Sequence, residues 1–345
     1  MLFWTAALRT NKYSSTFGVA VQVGYKLIAE AYGPREIVRQ AVEAERAGFD
    51  FVEVSDHYHP WLTGTEHSAF AWSLLASIAA KTSEIGLGTG VTCPTMRYHP
   101  AIIAQAAATT ALLSDGRFFL GVGSGENLNE HIIGRAWPSL DVRQRMLREA
   151  VEIIRLLWEG GYHSYDGRYL QISDARVFDL PPELPTIAVA AGGERAAGIA
   201  ADLGDAIFAT EPDDSILHAY VEAGGEGSRF AEVPLSWAPD EESAATSAHE
   251  KFRFGLTGWK VQAELPNPVN FDAATAFITN KHMLSAFGCG PDPERHVEVA
   301  QKFVNAGFDH LVLINAGPDP DGFFEFFAHT LEPRIRALVP QGGGQ

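Results

Sequence analysis

Asp56, His57 and Trp61 put an acid, an imidazole and an indole immediately after the apolar run Phe51-Val52-Glu53-Val54. Imidazole titrates near neutral pH, so His57 is the candidate general base, and an adjacent carboxylate such as Asp56 can fix its tautomer or stabilise the imidazolium. Glu126 follows Gly121, Gly123 and Gly125. Backbone without side chains can approach a flat ligand closely while the acid points at it; a carboxylate at a helix N-terminus is the plainer alternative. Gly192 and Gly193 open a helical pattern with Arg195 beside them, which either exposes N–H groups to a phosphate or is a tight turn. Cys93 has no basic neighbour in sequence to lower its pKa and reads as a packed small residue, while His99 before Pro100 reads as a helix start. No metal site is expected. The His-Glu-x-x-His pattern is missing, and His57-x-His59 has no further histidine at another strand end. Gly123-Ser124-Gly125 lacks the flanks of a nucleophile elbow.

These residues need elements that bring them together. Pro34 suits a first helical position, the apolar spacing from Ile37 to Ala44 is helical, and Gly48 supplies a stop before the strand at 51–54. The same turn is written twice: Ala47-Gly48-Phe49-Asp50 precedes the strand at 51–54, and Ala306-Gly307-Phe308-Asp309 precedes a strand at 310–314. Their separation matches the roughly 250 residues of a (β/α)8 barrel, whose first and last strands become neighbours. Between them, strands at 85–89, 118–122, 186–189, 206–210 and 233–237 alternate with helices predicted at 66–82, 99–114, 140–158, 193–203, 241–254, 291–306 and 321–338. Alternation favours a parallel sheet. A doubly wound sheet would carry Gly-x-Gly-x-x-Gly in its first βα turn, and residues 27–33 carry none. The fold expected is therefore α/β, a (β/α)8 TIM barrel, with 255–290 as an insertion over its C-terminal mouth. One barrel domain is expected over 21–339, with a loose extension at 1–20 and a flexible tail at 340–345. In such a barrel the residues just after strands carry function, which selects the positions named above.

The bulk properties narrow the classes. The chain has 345 residues, 46% hydrophobic, enough for a sizeable core. A formal charge of -17 and no basic cluster argue against nucleic-acid binding. With only Cys93 and Cys289, neither a disulfide framework nor a cysteine zinc site is suggested, and a cytoplasmic setting fits. The apolar opening is too short to span a bilayer and lacks a basic start, so no membrane association is expected.

Taken in order, Gly24-Tyr25-Lys26, the stretch from Ser55 to Trp61, Pro94 to Pro100, Gly121 to Glu130, Ala136-Trp137-Pro138 and Ala190 to Gly193 resemble the luciferase-like superfamily. Within it they are similar to the coenzyme F420-dependent oxidoreductases near the glucose-6-phosphate dehydrogenases. The wording from Thr92 to Tyr98 also resembles the F420-dependent secondary alcohol dehydrogenases. The resemblance implies a homodimeric barrel with a deazaflavin across the mouth. It implies cofactor contacts from Asp56, Cys93, Ser124, Asn129, Gly192, Gly193, Arg195 and Ala196, with Gly90 and Val91 forming a bulge, often with a cis peptide, under the ring. His57 would take the proton from a substrate hydroxyl as hydride leaves the same carbon for the deazaflavin C5. Glu126 would assist at the ring N1, and Trp61 would shape the reacting pocket. For the substrate, Thr210 retains a hydroxyl and Lys260 a cation, but Asp213 stands where the sugar-phosphate enzymes have a second cation. Val261 replaces a histidine, and the remaining arginine aligns near Lys281 and His282. A carboxylate at 213 would repel phosphate, which leaves a sugar phosphate and a neutral alcohol both open. An FMN-dependent monooxygenase and a non-catalytic cofactor-binding barrel are the rival readings.

Overall fold

A computed structural model describes residues 21–341. The extension expected at 1–20, and 342–345 of the expected tail, lie outside the described residues.

Eight parallel strands close into a cylinder: Gln22–Leu27, Phe51–Val54, Gly86–Thr89, Phe118–Val122, Thr186–Ala190, Ala206–Ala209, Ser228–Ser236 and His310–Asn315. Each pairs with the next, and the eighth returns to the first in the register Gln22↔His310, so no edge of the barrel is left open. The repeated turn has a mechanical reason. Gly48 and Gly307 stop their helices at φ 91 and 102°, where a side chain is disfavoured. The aspartate two residues on then reaches across to the neighbouring strand. Asp50 Oδ2 accepts from Val23 N at 2.7 Å and Asp309 Oδ1 from Arg229 N at 2.8 Å. Asp205 does the same for Ile187 N at 2.8 Å before the sixth strand. These carboxylates satisfy strand-start donors at the end of the barrel opposite the mouth.

Inside the cylinder, Phe51, Phe119, Phe208 and Phe230 form an aromatic layer, with Phe51 and Phe119 edge to face at 5.7 Å. The rings fit because two strands lack side chains there: a Cβ on Gly24 or Gly88 would lie 2.3 or 2.4 Å from the Phe51 or Phe119 ring. Above that layer the interior turns polar, as described below.

The helices at Pro34–Ala47, Pro100–Leu113, Leu140–Trp158, Glu194–Leu203 and Pro293–Ala306 fall within two residues of their expected positions. His99 caps the second of these, its ring accepting from Ala101 N, as its place before Pro100 implied. The seventh strand starts five residues earlier than 233, in a stretch whose apolar pattern Arg229 and Glu232 interrupt. The helix expected at 321–338 divides into Pro320–Phe326, a π turn at Phe327–Leu331 and Glu332–Arg336. Pro333 has no N–H for the ladder, and a widened turn accommodates it. The helix Asp214–Glu222 and the outlying hairpin of His163–Asp166 with Gln171–Ala175 were not anticipated.

Residues 255–290 fold into short helices, Trp259–Gln262, Pro268–Ala274 and Asn280–Ala286. Phe254, Phe271, Met283 and Phe287 pack with Trp61, Leu62 and Leu128 in a second apolar cluster. Asn127 N donates to Ala263 O at 3.0 Å, and Thr63 Oγ1 to Asp272 Oδ2 at 2.5 Å, tying this segment to loops after the fourth and second strands.

Candidate active site

The C-terminal ends of the strands open into a cavity of about 680 Å³. His57, Glu126 and Trp61 all line it, as do Gly90, Val91, Ser124, Gly192, Gly193, Arg195, Ala196 and Thr210.

His57 is held by Glu30, three residues past the end of the first strand, and Asp56 makes its hydrogen bonds elsewhere. His57 Nδ1 pairs with Glu30 Oε1, and Glu30 Oε2 accepts from Ser55 Oγ at 3.2 Å. Burial opposes a charge on the imidazole, but the Glu30 carboxylate outweighs it and lifts the His57 pKa above its usual value. Burial likewise opposes ionisation of Glu30, and the imidazole outweighs it in turn, holding that carboxyl below its usual range. With Nδ1 committed to Glu30, Nε2 is the ring nitrogen free for a ligand. Trp61 meets the His57 ring edge to face at 5.1 Å and stacks on Phe254 at 4.5 Å, so the insertion fixes the indole.

Asp56 instead accepts from Thr92 Oγ1 at 2.7 Å and from Arg97 Nη2 and Tyr98 Oη, both at 3.1 Å. It welds the loop after the second strand to the loop after the third. Asn129 does similar work: its Oδ1 accepts from Tyr58 N at 2.8 Å and His59 N at 3.1 Å, and its Nδ2 donates to Glu126 Oε2 at 3.3 Å. One buried amide therefore couples the histidine loop to Glu126. Cys93 lies behind Gly125, where a Cβ would come within 2.6 Å of its Sγ, and burial pushes its thiol pKa well up. Both cysteines are free and buried, consistent with the packed reading of Cys93.

Below the cavity, Lys26 Nζ donates to Glu53 Oε1 at 2.9 Å, Glu232 Oε1 at 2.5 Å and Gly90 O at 2.7 Å. Burial, only partly offset by Lys26, drives Glu53 toward its protonated form. Neither this triad nor Glu30 was singled out from sequence. Lys26 and Glu30 lie at and after the end of the first strand, the position that marked His57 on the second, and that rule applied to the first strand would have found them.

The residues expected at the substrate end are placed elsewhere, apart from Thr210. Asp213 caps the helix Asp214–Glu222, accepting from Ser215 N at 2.9 Å, and Glu211 is the carboxylate of that loop on the cavity wall. Lys260 is exposed on the short helix Trp259–Gln262 and Lys281 lies on a separate shallow hollow. His282 closes a capping box with Thr279. None of the four lines the cavity.

One side of the cavity is built for close approach to a flat group. The Gly90–Val91 peptide is cis, and Gly123, Gly125, Gly192 and Gly193 bring bare backbone to the surface. A Cβ on Gly123 would lie 2.8 Å from Val91 Cγ2, whereas a Cβ on Gly193 would meet nothing within 4 Å. The helix Glu194–Leu203 begins at Gly193 with its N–H groups toward the rim, and Arg195, paired to Asp141, stands there. Such an end favours an anion. A planar ring with an anionic tail fits this donor set. Among the described residues no cluster of three or more His, Cys, Asp or Glu is arranged to hold a metal ion.

A closed barrel with a carboxylate-bound histidine and a glutamate at a glycine-lined mouth is the architecture of a cofactor-using barrel enzyme. Residues 15–310 match the family described as luciferase-like monooxygenase, and the chain belongs to that family. Among its relatives, the F420-dependent glucose-6-phosphate dehydrogenase of Tsukamurella paurometabola is 36% identical over 337 residues, covering 92% of this chain and 99% of that protein. The enzyme of the same name from Nocardia farcinica is 35% identical with the same coverage. A solved F420-dependent secondary alcohol dehydrogenase, in complex with an F420-acetone adduct, superposes with a TM-score of 0.86 at 28% identity, covering 92% of this chain and 99% of that one.

Proposed function

We propose that this protein is a coenzyme F420-dependent oxidoreductase acting on a hydroxyl-bearing small molecule. The observation that carries the reading is that His57, with Nδ1 bound by Glu30, and Glu126, held by Asn129, line one cavity at the mouth of the barrel. When bound, the cofactor supplies a hydride acceptor at carbon in place of the flavin N5. The residues suited to hold it are Gly90, Val91, Ser124, Gly192, Gly193, Arg195 and Ala196 on the cavity surface, with Asp56, Cys93 and Asn129 supporting them from behind.

The protein's own part is proton handling and exclusion of water. Neutral His57 takes the hydroxyl proton on Nε2, and Glu30 stabilises the imidazolium that results, so the base is strengthened as the carbinol gives up its hydride. In the reverse direction the same imidazolium protonates a carbonyl. Glu126, held by Asn129, presents its carboxylate to the same cavity as His57. Trp61, Phe254 and Phe252 make the reacting end apolar, which strengthens each charge interaction there. We place in the same reading a single barrel domain over 21–339, a homodimer and a cytoplasmic setting. Among the described residues no helix is long and apolar enough to cross a membrane.

The test is anaerobic mixing of the purified protein with F420 and a panel of primary, secondary and phosphorylated alcohols, following the loss of F420 absorbance. Loss with at least one alcohol is expected. Flavin-driven oxygen uptake with no F420 reduction by any alcohol would replace this reading by the FMN-dependent monooxygenase. Tight F420 binding with no turnover would leave a non-catalytic barrel.

A further inference from the structure

Four basic side chains lie on the cavity surface, and three of them are already neutralised. Lys26 is shared by Glu53 and Glu232, His57 is paired to Glu30, and Arg195 to Asp141. Lys251 is the fourth. It sits at the end of the helix Glu241–Phe252, after the seventh strand, and forms no ion pair among the described residues. Its Nζ donates to Gly317 O, after the eighth strand, at 2.7 Å and to Tyr32 Oη at 3.1 Å, and stands 5.1 Å from the Tyr32 ring centroid. An ammonium carries three N–H donors, so one remains after these two contacts. The neighbours Phe252 and Phe254 supply no charge. A cation so placed is costly until an anion arrives. Burial accordingly lowers the Lys251 pKa to about 8, still leaving it mostly charged at neutral pH.

From this geometry, and resting on the oxidoreductase reading above, we infer that Lys251 is the substrate-recognition cation and that the substrate is an alcohol bearing a single carboxylate. A bound carboxylate completes the third hydrogen bond and the charge of Lys251 together. A phosphate monoester dianion is a poorer match. The cations that would share its second charge, Lys260 and Lys281, are off the cavity, and Lys26 is already divided between two acids. Glu126, Glu211 and Glu232 on the same surface would repel the charge left over. The loops after strands seven and eight are a frequent anion seat in barrels of this kind, and Lys251 bridges them.

The test compares 2-, 3- and 4-hydroxybutyrate with their methyl esters and with glycerol 3-phosphate. Two readouts are taken: F420 reduction, and binding to the F420-loaded protein followed by tryptophan fluorescence. A charge-assisted hydrogen bond predicts that the best acid is favoured over its ester by about tenfold to a hundredfold. The ratio should fall to about one in Lys251→Met and return in Lys251→Arg. Because each ratio is internal to one variant, a general loss of activity does not imitate the result. Equal use of acid and ester by the wild type, or a ratio unchanged in Lys251→Met, overturns the inference. Preference for glycerol 3-phosphate that disappears in Lys251→Met overturns the choice of carboxylate. If no alcohol reduces F420, the oxidoreductase reading fails, while the binding ratio still decides the role of Lys251.

Discussion

Replacing Glu30 by glutamine isolates the charge that the structure sets against His57. The amide keeps nearly the same shape and can still accept from His57 Nδ1 and contact Ser55 Oγ, so the orientation of the ring survives while the negative charge is lost. In the wild type, burial lowers the His57 pKa and Glu30 more than restores it, so the net shift is upward from 6.5. In Glu30→Gln, burial and Lys26 both press the pKa down and Glu126 alone opposes them. An opposite charge at contact distance is worth about 1–3 pKa units, or about 1–4 kcal/mol. A general base works only when unprotonated, so the acid limb of kcat/KM for alcohol oxidation lies above pH 6.5 in the wild type and moves down in the variant. On the alkaline plateau the weaker base costs roughly tenfold in turnover. The assay is the pH profile of anaerobic F420 reduction with the best alcohol. An acid limb that stays in place or moves upward would refute the assignment of Glu30 as the partner that raises His57.

Glu130 is buried, accepts from Arg97 N at 2.7 Å, and is pushed up to about 7 by burial against the opposing effect of Arg97. The fold therefore binds its proton more tightly than the unfolded chain does; the stabilisation is full below pH 4.5 and is lost as pH rises through about 7, worth about 3 kcal/mol in all. Glu130→Gln should remove that part of the pH dependence, and urea midpoints at pH 5 and pH 8 that differ as much in the variant as in the wild type would contradict it. Asp213→Ala deletes a helix cap and should cost about 1 kcal/mol of stability. The variant should leave discrimination between phosphorylated and neutral alcohols as it was; a gain in phosphorylated substrate would return Asp213 to the substrate path.

The strands and helices that could be read from sequence are those whose burial is one-sided or complete. Phe51–Val54 and Phe118–Val122 are continuous apolar runs, and Gly48 and Gly307 mark helix ends that only a left-handed residue makes easily. The first half of the seventh strand has no continuous apolar signature because it carries Arg229 and Glu232, whose side chains the barrel end and the Lys26 cluster satisfy only after folding. His57, Glu126 and Trp61 were legible because polar residues follow apolar strands there. Glu30 was not, because the first strand, with Gln22 and Lys26, has a weak apolar signature that does not mark where it ends. Adjacency in sequence pointed to Asp56 as the partner of His57. Successive residues leave a strand end in opposed directions, and the fold turned Asp56 toward Thr92, Arg97 and Tyr98 instead. Long-range pairs of this kind, like Lys251 with Gly317, depend on closure of the barrel and have no local signature.

The central claim is that His57 moves the proton in a reaction whose hydride goes to F420. It is tested most directly by His57→Ala, with anaerobic F420 reduction and F420 affinity measured on the same preparation. Turnover should fall by about 10²- to 10⁴-fold, with cofactor affinity little changed because the glycine-lined side of the cavity and Arg195 are untouched. Turnover equal to the wild type would contradict it.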